Sequence, residues 1–346
     1  MTEDNLLKID GSQGEGGGQI LRSSLALSIL SNTPFNIFNI RAGRKKPGLM
    51  RQHLTAIKAA LAICNGEAVG NDIHSKEVSF YPDKLTGGKF HFSIGTAGST
   101  NLVLQTILPP LLIANKASTI TLEGGTHNQY APPYDFIKDS FAPIINLFGP
   151  SIEMDISKWG FYPAGGGEYT VNIKPAEELK EIHIIERGKL IKLKAKIYYT
   201  KLPRTIAERE EKTLLRNLDK LSRKDIEIYE IKNSPGPGNI IFLEAQYDKS
   251  KSIFTGFSER GLPAEKVAKG VCQSFQKHHK ADVPIDKYLA DQLMLPMAMA
   301  GKGSFITRKL SYHSQTNIDV IMTFLPIEII QEQISKDQVK LSFQRK

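Results

Sequence analysis

Residues 11–24 read Gly11-Ser-Gln-Gly-Glu-Gly-Gly-Gly-Gln-Ile-Leu-Arg-Ser-Ser24, a glycine-rich turn that runs into an apolar, helix-like segment over residues 20–30. Glycines at a helix start let backbone N–H groups approach an anion, and the helix dipole favours negative charge there. The spacing fits neither common nucleotide loop. A Walker loop requires Gly-Lys-Ser/Thr, and here Gln19 and Ile20 follow the last glycine. A dinucleotide fingerprint requires an acidic ribose ligand about 20 residues on, where Ile40-Arg41 is basic. This is a phosphate-handling loop of a less common kind, and Glu15 within it needs a reason.

A second chemical cluster is Arg41, Arg44, Lys45, Lys46 and Arg51, which includes the turn Lys46-Pro47-Gly48 and contains no acid. Five cations on a loop and the next helix start are poorly explained by solubility. Among the histidines, His278 and His279 end a helix, where cations suit the dipole. His74, His91 and His183 stand in strand or turn contexts with no partner nearby in sequence. His53 adjoins the basic cluster, and His127 lies in a loop. His313 has the most chemical setting: a strand at residues 304–308 ends, and His313-Ser-Gln-Thr-Asn-Ile318 opens an apolar helical segment reaching Leu325. A helix start favours a neutral imidazole that keeps a lone pair, and favours a phosphate beside it. That is one way to build a nucleophile for phosphorus; a histidine that merely caps the helix is the plain alternative. No HExxH or CxxC spacing is present, so a permanent metal site is not expected.

The elements that would position these residues repeat. A small-residue turn leads into an apolar helix at residues 14–31, again at 95–115, and more weakly at 290–301. Second helices are expected at 49–64 and 134–148, and short strands at 35–40, 77–81, 89–93, 119–123, 169–173 and 304–308. Strands alternating with amphipathic helices predict an α/β chain (α+β in detail) built from related units. Residues 184–277 break the rhythm. They alternate as a strand at 190–199, form a charged helix at 205–221, strands at 226–231 and 240–246 around a Pro-Gly-Pro-Gly turn, and a closing helix from 264. This reads as a small α/β domain inserted at 184–277 into a large domain made of 1–183 and 278–346.

Composition bounds the function classes. The 346 residues are 40% hydrophobic and 23% charged, as in ordinary globular proteins. No apolar run reaches the roughly 18 residues of a membrane span, and the N-terminus lacks a signal-peptide core. Cys64 and Cys272 alone cannot form a zinc site and suit a reducing cytoplasm. The net charge is +9, and residues 184–277 hold 20 Lys+Arg against 12 Asp+Glu. That excess suits an acidic partner such as RNA, or equally a solvated lysine-rich surface.

Four stretches in order, Asp10-Gly-Ser-Gln-Gly-Glu-Gly-Gly-Gly-Gln-Ile-Leu-Arg-Ser23, Arg41-Ala-Gly-Arg-Lys-Lys-Pro-Gly-Leu-Met-Arg-Gln-His53, Gly160-Phe-Tyr-Pro-Ala-Gly-Gly-Gly167 and Tyr288-Leu-Ala-Asp-Gln-Leu293, closely resemble the RNA 3′-terminal phosphate cyclase family. The resemblance covers roughly residues 6–330. It implies a large domain of repeated βαβαββ-type units related to the enolpyruvyl transferases, with a small insert. It implies a ligase that uses ATP and a divalent metal, magnesium or manganese, to convert an RNA 3′-phosphate to a 2′,3′-cyclic phosphodiester through enzyme–AMP and RNA(3′)pp(5′)A. By the same resemblance His313, followed by Thr316-Asn-Ile318, is the adenylylated residue. Gln105, Pro132, Tyr288, Leu289, Ala290, Asp291 and Gln292 would bind ATP, with adenine between Tyr288 and Pro132. Glu15 would hold the metal, and Arg22, Arg41, Arg44, Gln52 and His53 would grip the RNA terminal phosphate. No membrane or obligate protein partner is implied. Two rivals remain at this point. One is a non-catalytic RNA-binding or ribosome-assembly factor on the same fold, whose branch lacks the histidine. The other is an enolpyruvyl-type transferase acting on a small metabolite.

Overall fold

A computed structural model of the chain describes residues 6–14 and 16–346. Its topology makes the repeat explicit. The first unit runs β1 (Leu7–Asp10), α1 (Gln19–Ser31), β2 (Phe35–Phe38), α2 (Arg51–Cys64), β3 (Glu67–Val69) and β4 (Val78–Tyr81). Its sheet has the order β1-β2-β4-β3, with the first pair parallel and the rest antiparallel. The second unit repeats this order and these directions with β5 (Lys89–Ser93), α3 (Thr100–Leu111), β6 (Ser118–Gly124), a helical stretch, β7 (Ser151–Lys158) and β8 (Gly167–Lys174). The helical stretch, expected as one helix, comprises α4 (Tyr134–Phe136), a π-helical turn at Ile137–Phe141, and α5 (Ala142–Leu147).

The third unit is split in sequence. Its first strand, β9 (Ile182–Ile184), is followed by β10 (Leu190–Thr200), α6 (Arg204–Asn217), β11 (Ile226–Glu230), β12 (Gly238–Tyr247), β13 (Lys251–Phe257) and α7 (Ala264–Ala281). The unit then resumes with α8 (Lys287–Ala300), β14 (Lys302–Thr307), α9 (Tyr312–Phe324), β15 (Ile327–Ser335) and β16 (Gln338–Arg345). Strand β9 pairs parallel with β14 through Gly303 opposite Ile182, which completes the order β15-β16-β14-β9.

The interrupting elements form their own sheet, β11-β10-β12-β13, backed by α6 and α7 over a separate apolar cluster that includes Ile197, Leu214, Leu243 and Phe275. Helix α7 continues to Ala281, past the expected boundary at 277. Alternate positions of β12 and β13 divide between two cores. Ile241 and Leu243 face α6 and α7, while Ile240, Phe242 and Ile253 join the main core. His127 is buried at this junction, with its ring stacked 4.2 Å from Trp159, and Tyr198 of β10 lies 4.7 Å from the other aromatic.

The main core is continuous through the three units. Leu25 of α1, Phe35 of β2, Ile57 of α2 and Phe305 of β14 are fully buried or nearly so. Each such side chain contributes about 1.5–3 kcal/mol relative to exposure. This packing fixes where the helices begin. Among the described residues, no helix is long and apolar enough to cross a membrane.

Candidate active site

Side-chain contacts link the first turns of α1, α2, α3, α8 and α9 to one another, and most of the expected site residues lie on or just before these helices. Side-chain caps set three of the starts. Ser99 caps α3, Asp286 caps α8 by accepting from the Tyr288 and Leu289 backbone N–H groups at 2.9 and 3.2 Å, and Ser311 caps α9 by accepting from Ser314 N at 3.2 Å. Helix α1 has no side-chain cap and starts from Gly18. A Cβ at Gly18 would lie 2.5 Å from His53 Nε2 and 3.0 Å from Arg22 Nη1, so only glycine lets α2 bring its histidine this close. Gly14 has φ +57°, and a Cβ there would lie 1.8 Å from Thr316 Oγ1, so the glycine turn is pressed against the first turns of α9. Arg22 and Arg41 lie near enough to act electrostatically on His53, and Arg44 on Arg41, so positive charge gathers beside these helix starts, an arrangement that favours anions.

His313, in the first turn of α9 and half-buried, pairs through Nδ1 with Gln19 Oε1. The amide nitrogen of Gln19 donates to both carboxylate oxygens of Asp291, each at 3.2 Å. An ionised carboxylate only accepts, so it orients the Gln19 amide with oxygen toward the histidine. The ring nitrogen facing that oxygen, Nδ1, is therefore the one that carries hydrogen in this network. This tautomer is assigned from the network. Asn317 ties the same elements together: Nδ2 donates to Asp291 O at 3.2 Å, and its Oδ1 accepts from Ser23 Oγ at 2.8 Å.

The phosphate-side residues divide into several roles. His53 Nδ1 accepts from the Met50 backbone N–H at 3.0 Å, so its neutral ring carries hydrogen on Nε2. Burial, then the Arg22 and Arg41 charges, push its pKa down to about 3. His53 is therefore a neutral donor aimed past Gly18. Gln52 Oε1 accepts from Ser99 N at 2.7 Å, which commits its oxygen and leaves NH2 as the donor. Arg41 spends Nη1 on its own loop, donating to Lys46 O and Gly48 O at 2.8 Å each from a left-handed backbone of φ 54°. It braces the loop as well as adding charge; burial and the neighbouring Arg44 charge lower its pKa. Arg44 is exposed.

On the nucleotide side, Gln105 of α3 and Gln292 of α8 are hydrogen-bonded to each other. The carbonyl of Pro132 accepts from Asn101 Nδ2 at 2.7 Å. Tyr288 is 63% exposed, and Lys287 Nζ lies 4.4 Å from its ring centre. Leu289 and Ala290 have buried side chains, so they offer helix backbone and core packing rather than an exposed contact. Glu15 lies outside the described residues. Among those that are described, no group of three or more His, Cys, Asp or Glu gathers as a metal cage. Magnesium held through substrate phosphates and one or two carboxylates does not require such a cage.

His127 and His183 are placed elsewhere. His127 is buried, paired with Asp135 at 2.8 Å and with Thr126 Oγ1 at 2.8 Å, outside this site. His183 does have partners, Ser304 Oγ at 2.8 Å and Glu181 at 2.7 Å, brought to it by the β9–β14 pairing. Sequence reasoning missed Gln19, treating it as the residue that spoils a Walker loop. The available signal was a polar residue opening an otherwise apolar helix; it is only 8% exposed.

The model for RNA 3′-terminal phosphate cyclase matches residues 13–330. The chain belongs to the RNA 3′-terminal phosphate cyclase family. A protein of that name from Koribacter versatilis (strain Ellin345) is 44% identical over 339 residues, covering 98% of this chain and 95% of the relative. One from Ralstonia nicotianae (strain ATCC BAA-1114 / GMI1000) is 44% identical over 324 residues, covering 93% and 92%. One from Salmonella enteritidis PT4 (strain P125109) is 41% identical over 322 residues, covering 93% and 94%. The family match runs from the turn before α1 to the start of β15, so it takes in the sheet between β9 and α8 and leaves β1 and β16 outside.

Proposed function

We propose that this protein is an ATP-dependent RNA 3′-terminal phosphate cyclase, with His313 as the residue that becomes adenylylated. The observation that carries the reading is the Asp291–Gln19–His313 chain among the linked first turns of five helices. It gives Nδ1 a hydrogen-bond acceptor, which supports Nε2 as the attacking nitrogen.

In the first step Nε2 attacks the α-phosphorus of ATP. The P–N bond forms, the bond to pyrophosphate oxygen breaks, and pyrophosphate leaves. An oxygen of the RNA 3′-phosphate then attacks the histidine-bound phosphorus, forming RNA(3′)pp(5′)A and freeing His313. The ribose 2′-OH finally attacks the 3′-phosphorus. AMP departs, a proton is released, and the 2′,3′-cyclic phosphodiester remains. Transfers of this kind require alignment and charge neutralisation more than covalent help. Arg22, Arg44, the His53 Nε2–H and the Gln52 amide supply donors for the terminal phosphate, and Arg41 holds their loop. Tyr288 and Pro132 are the proposed adenine contacts, with Gln105, Asp291 and Gln292 beneath. A divalent ion, with Glu15 as its proposed protein ligand, would neutralise phosphate charge when bound.

The test is incubation with α-labelled ATP and magnesium or manganese, followed by denaturation. Label retained on wild-type protein and absent from His313→Ala supports the reading. Its transfer to 3′-phosphorylated RNA with AMP release completes it, and an unlabelled wild-type protein sinks it.

A further inference from the structure

An open groove of about 890 Å³ lies beside the expected phosphate residues and counts Gln52 and His53 among its lining. This volume is within the roughly 300–1,000 Å³ of ligand sites. Its walls are the loop at residues 41–50 and the loop at residues 70–76. Backbone hydrogen bonds lock the two together: Ile40 N to Lys76 O at 3.0 Å, Leu49 N to Ser75 O at 2.9 Å, and His74 N to Leu49 O at 2.8 Å. The groove is therefore formed before any ligand arrives, which avoids an ordering cost on binding.

Lys45, Lys46, Arg51 and Lys76 line it, with no Asp or Glu among the lining residues. Among the described residues no ion pair holds any of these four cations. Of the 20 Lys and Arg in the basic segment at 184–277, seven are neutralised locally. These seven are Arg187, Lys192, Arg204, Arg209, Arg223, Lys249 and Lys251, each in an ion pair with a carboxylate, whereas the groove's four cations share one surface with no carboxylate among its lining residues. Like charges kept together without counter-charges repel one another and focus a field that attracts anions. Ile73, 47% exposed, and the imidazole of His74 add an apolar surface and a flat ring beside these charges. Cations that follow a backbone, next to a ring on which a base can stack, are the elements of single-strand binding.

We propose that this groove binds the single-stranded RNA immediately upstream of the terminal phosphate, through its backbone phosphates and without reading base identity. The proposal rests on the cyclase reading of the neighbouring site. It assigns RNA affinity to the 41–50 and 70–76 loops rather than to the diffuse charge of residues 184–277.

The test uses full-length protein carrying Lys45→Ala, Lys46→Ala and Lys76→Ala together. His313 labelling from ATP without RNA reports on folding and on the nucleotide site. Cyclisation is compared on a nucleoside 3′-monophosphate and on a 3′-phosphorylated hexanucleotide. The expected result is unchanged labelling, unchanged KM for the mononucleotide, and a KM for the hexanucleotide raised at least tenfold. Single strands lose about 0.7 in salt slope per phosphate contact, so three lost contacts should flatten the hexanucleotide's slope by about 2. An unchanged hexanucleotide KM, or equal losses on both substrates, overturns the proposal. If wild-type protein takes no label, the cyclase reading fails on its own. The groove is then judged by direct binding of an unphosphorylated hexanucleotide, which the triple variant must weaken.

Discussion

Replacing Gln19 by Met tests the central geometric argument. Met keeps the length of Gln19 and removes both of its polar groups. In the wild-type protein the Gln19 amide accepts from His313 Nδ1 and donates to Asp291 at 3.2 Å. Net hydrogen-bond contributions run from about 0.5–1.5 kcal/mol for neutral pairs to about 1.5–3 kcal/mol where a charge is involved. If about 1.4–3 kcal/mol of ring orientation is lost, the adenylylation barrier rises by that amount, and the step slows roughly 10- to 150-fold. Asp291→Asn is the sharper variant. Asn is isosteric but can donate, so the Gln19 amide can turn and present its NH2 to Nδ1. That draws the proton to Nε2 and removes the nucleophilic lone pair, so the loss should equal or exceed that of Gln19→Met. The assay is single-turnover transfer of labelled AMP at saturating ATP, which separates the chemical step from nucleotide affinity. A thermal melt checks the fold. Nitrogen NMR of labelled histidine reads the tautomer directly: Nδ1–H in wild type, Nε2–H in Asp291→Asn. Labelling rates within twofold of wild type for both variants, or a wild-type ring protonated at Nε2, would refute the reasoning.

Two further predictions concern buried groups. Glu210 of α6 is fully buried; its Oε2 accepts from Asn239 at 2.9 Å, and Oε1 has no hydrogen-bond partner among the described residues. Burial raises its pKa from 4.5 to about 7. Because the folded value lies above the unfolded one, stability is full below about 4.5 and falls as pH rises to about 7. The shift corresponds to at most about 3 kcal/mol. Glu210→Gln should therefore match wild type near pH 4 and be more stable by up to that amount at pH 8 in denaturant melts; a variant less stable at pH 8 contradicts it. Cys64 and Cys272 are buried, unpaired thiols. Burial raises both pKa values, that of Cys272 to about 11. Native protein should resist alkylation at pH 8 and take up two equivalents once unfolded, so stoichiometric labelling of the native state would count against the packing described here.

How much of this was legible in the sequence depended on how local each signal was. The helix starts at Gln19, Thr100 and Tyr312 follow small or capping residues, and a pattern reading reaches them. Strand β9 is three residues long, and its partner β14 lies beyond the whole fourth sheet, so no local window could show that the third unit was complete. Strand β15 was missed for another reason, whereas β16 alternates, with Val339, Leu341 and Phe343 inward, and could have been read. Most of β15 is exposed, so the alternation that betrays a half-buried strand is absent after Ile329. The charge excess at 184–277 was visible, but the ion pairs that occupy part of it were not, since most join residues far apart in the chain.

The motif resemblance pointed to the site's residues and an expected reaction, but not to the contacts that hold those residues together. His313 and Gln19 stand 294 positions apart, and Gln105 and Gln292 stand 187 apart. The first unit supplies α1 and α2, the second α3, and the third α8 and α9. No unit alone holds both a nucleophile and the groups that orient it. Asp291 can fix the His313 tautomer only through a glutamine from a different unit, and His53 reaches α1 only because Gly18 has no side chain. The motif strings therefore mark where three packed units touch. Their spacing resembles no single nucleotide loop because the site is closed by tertiary contact rather than by one local turn.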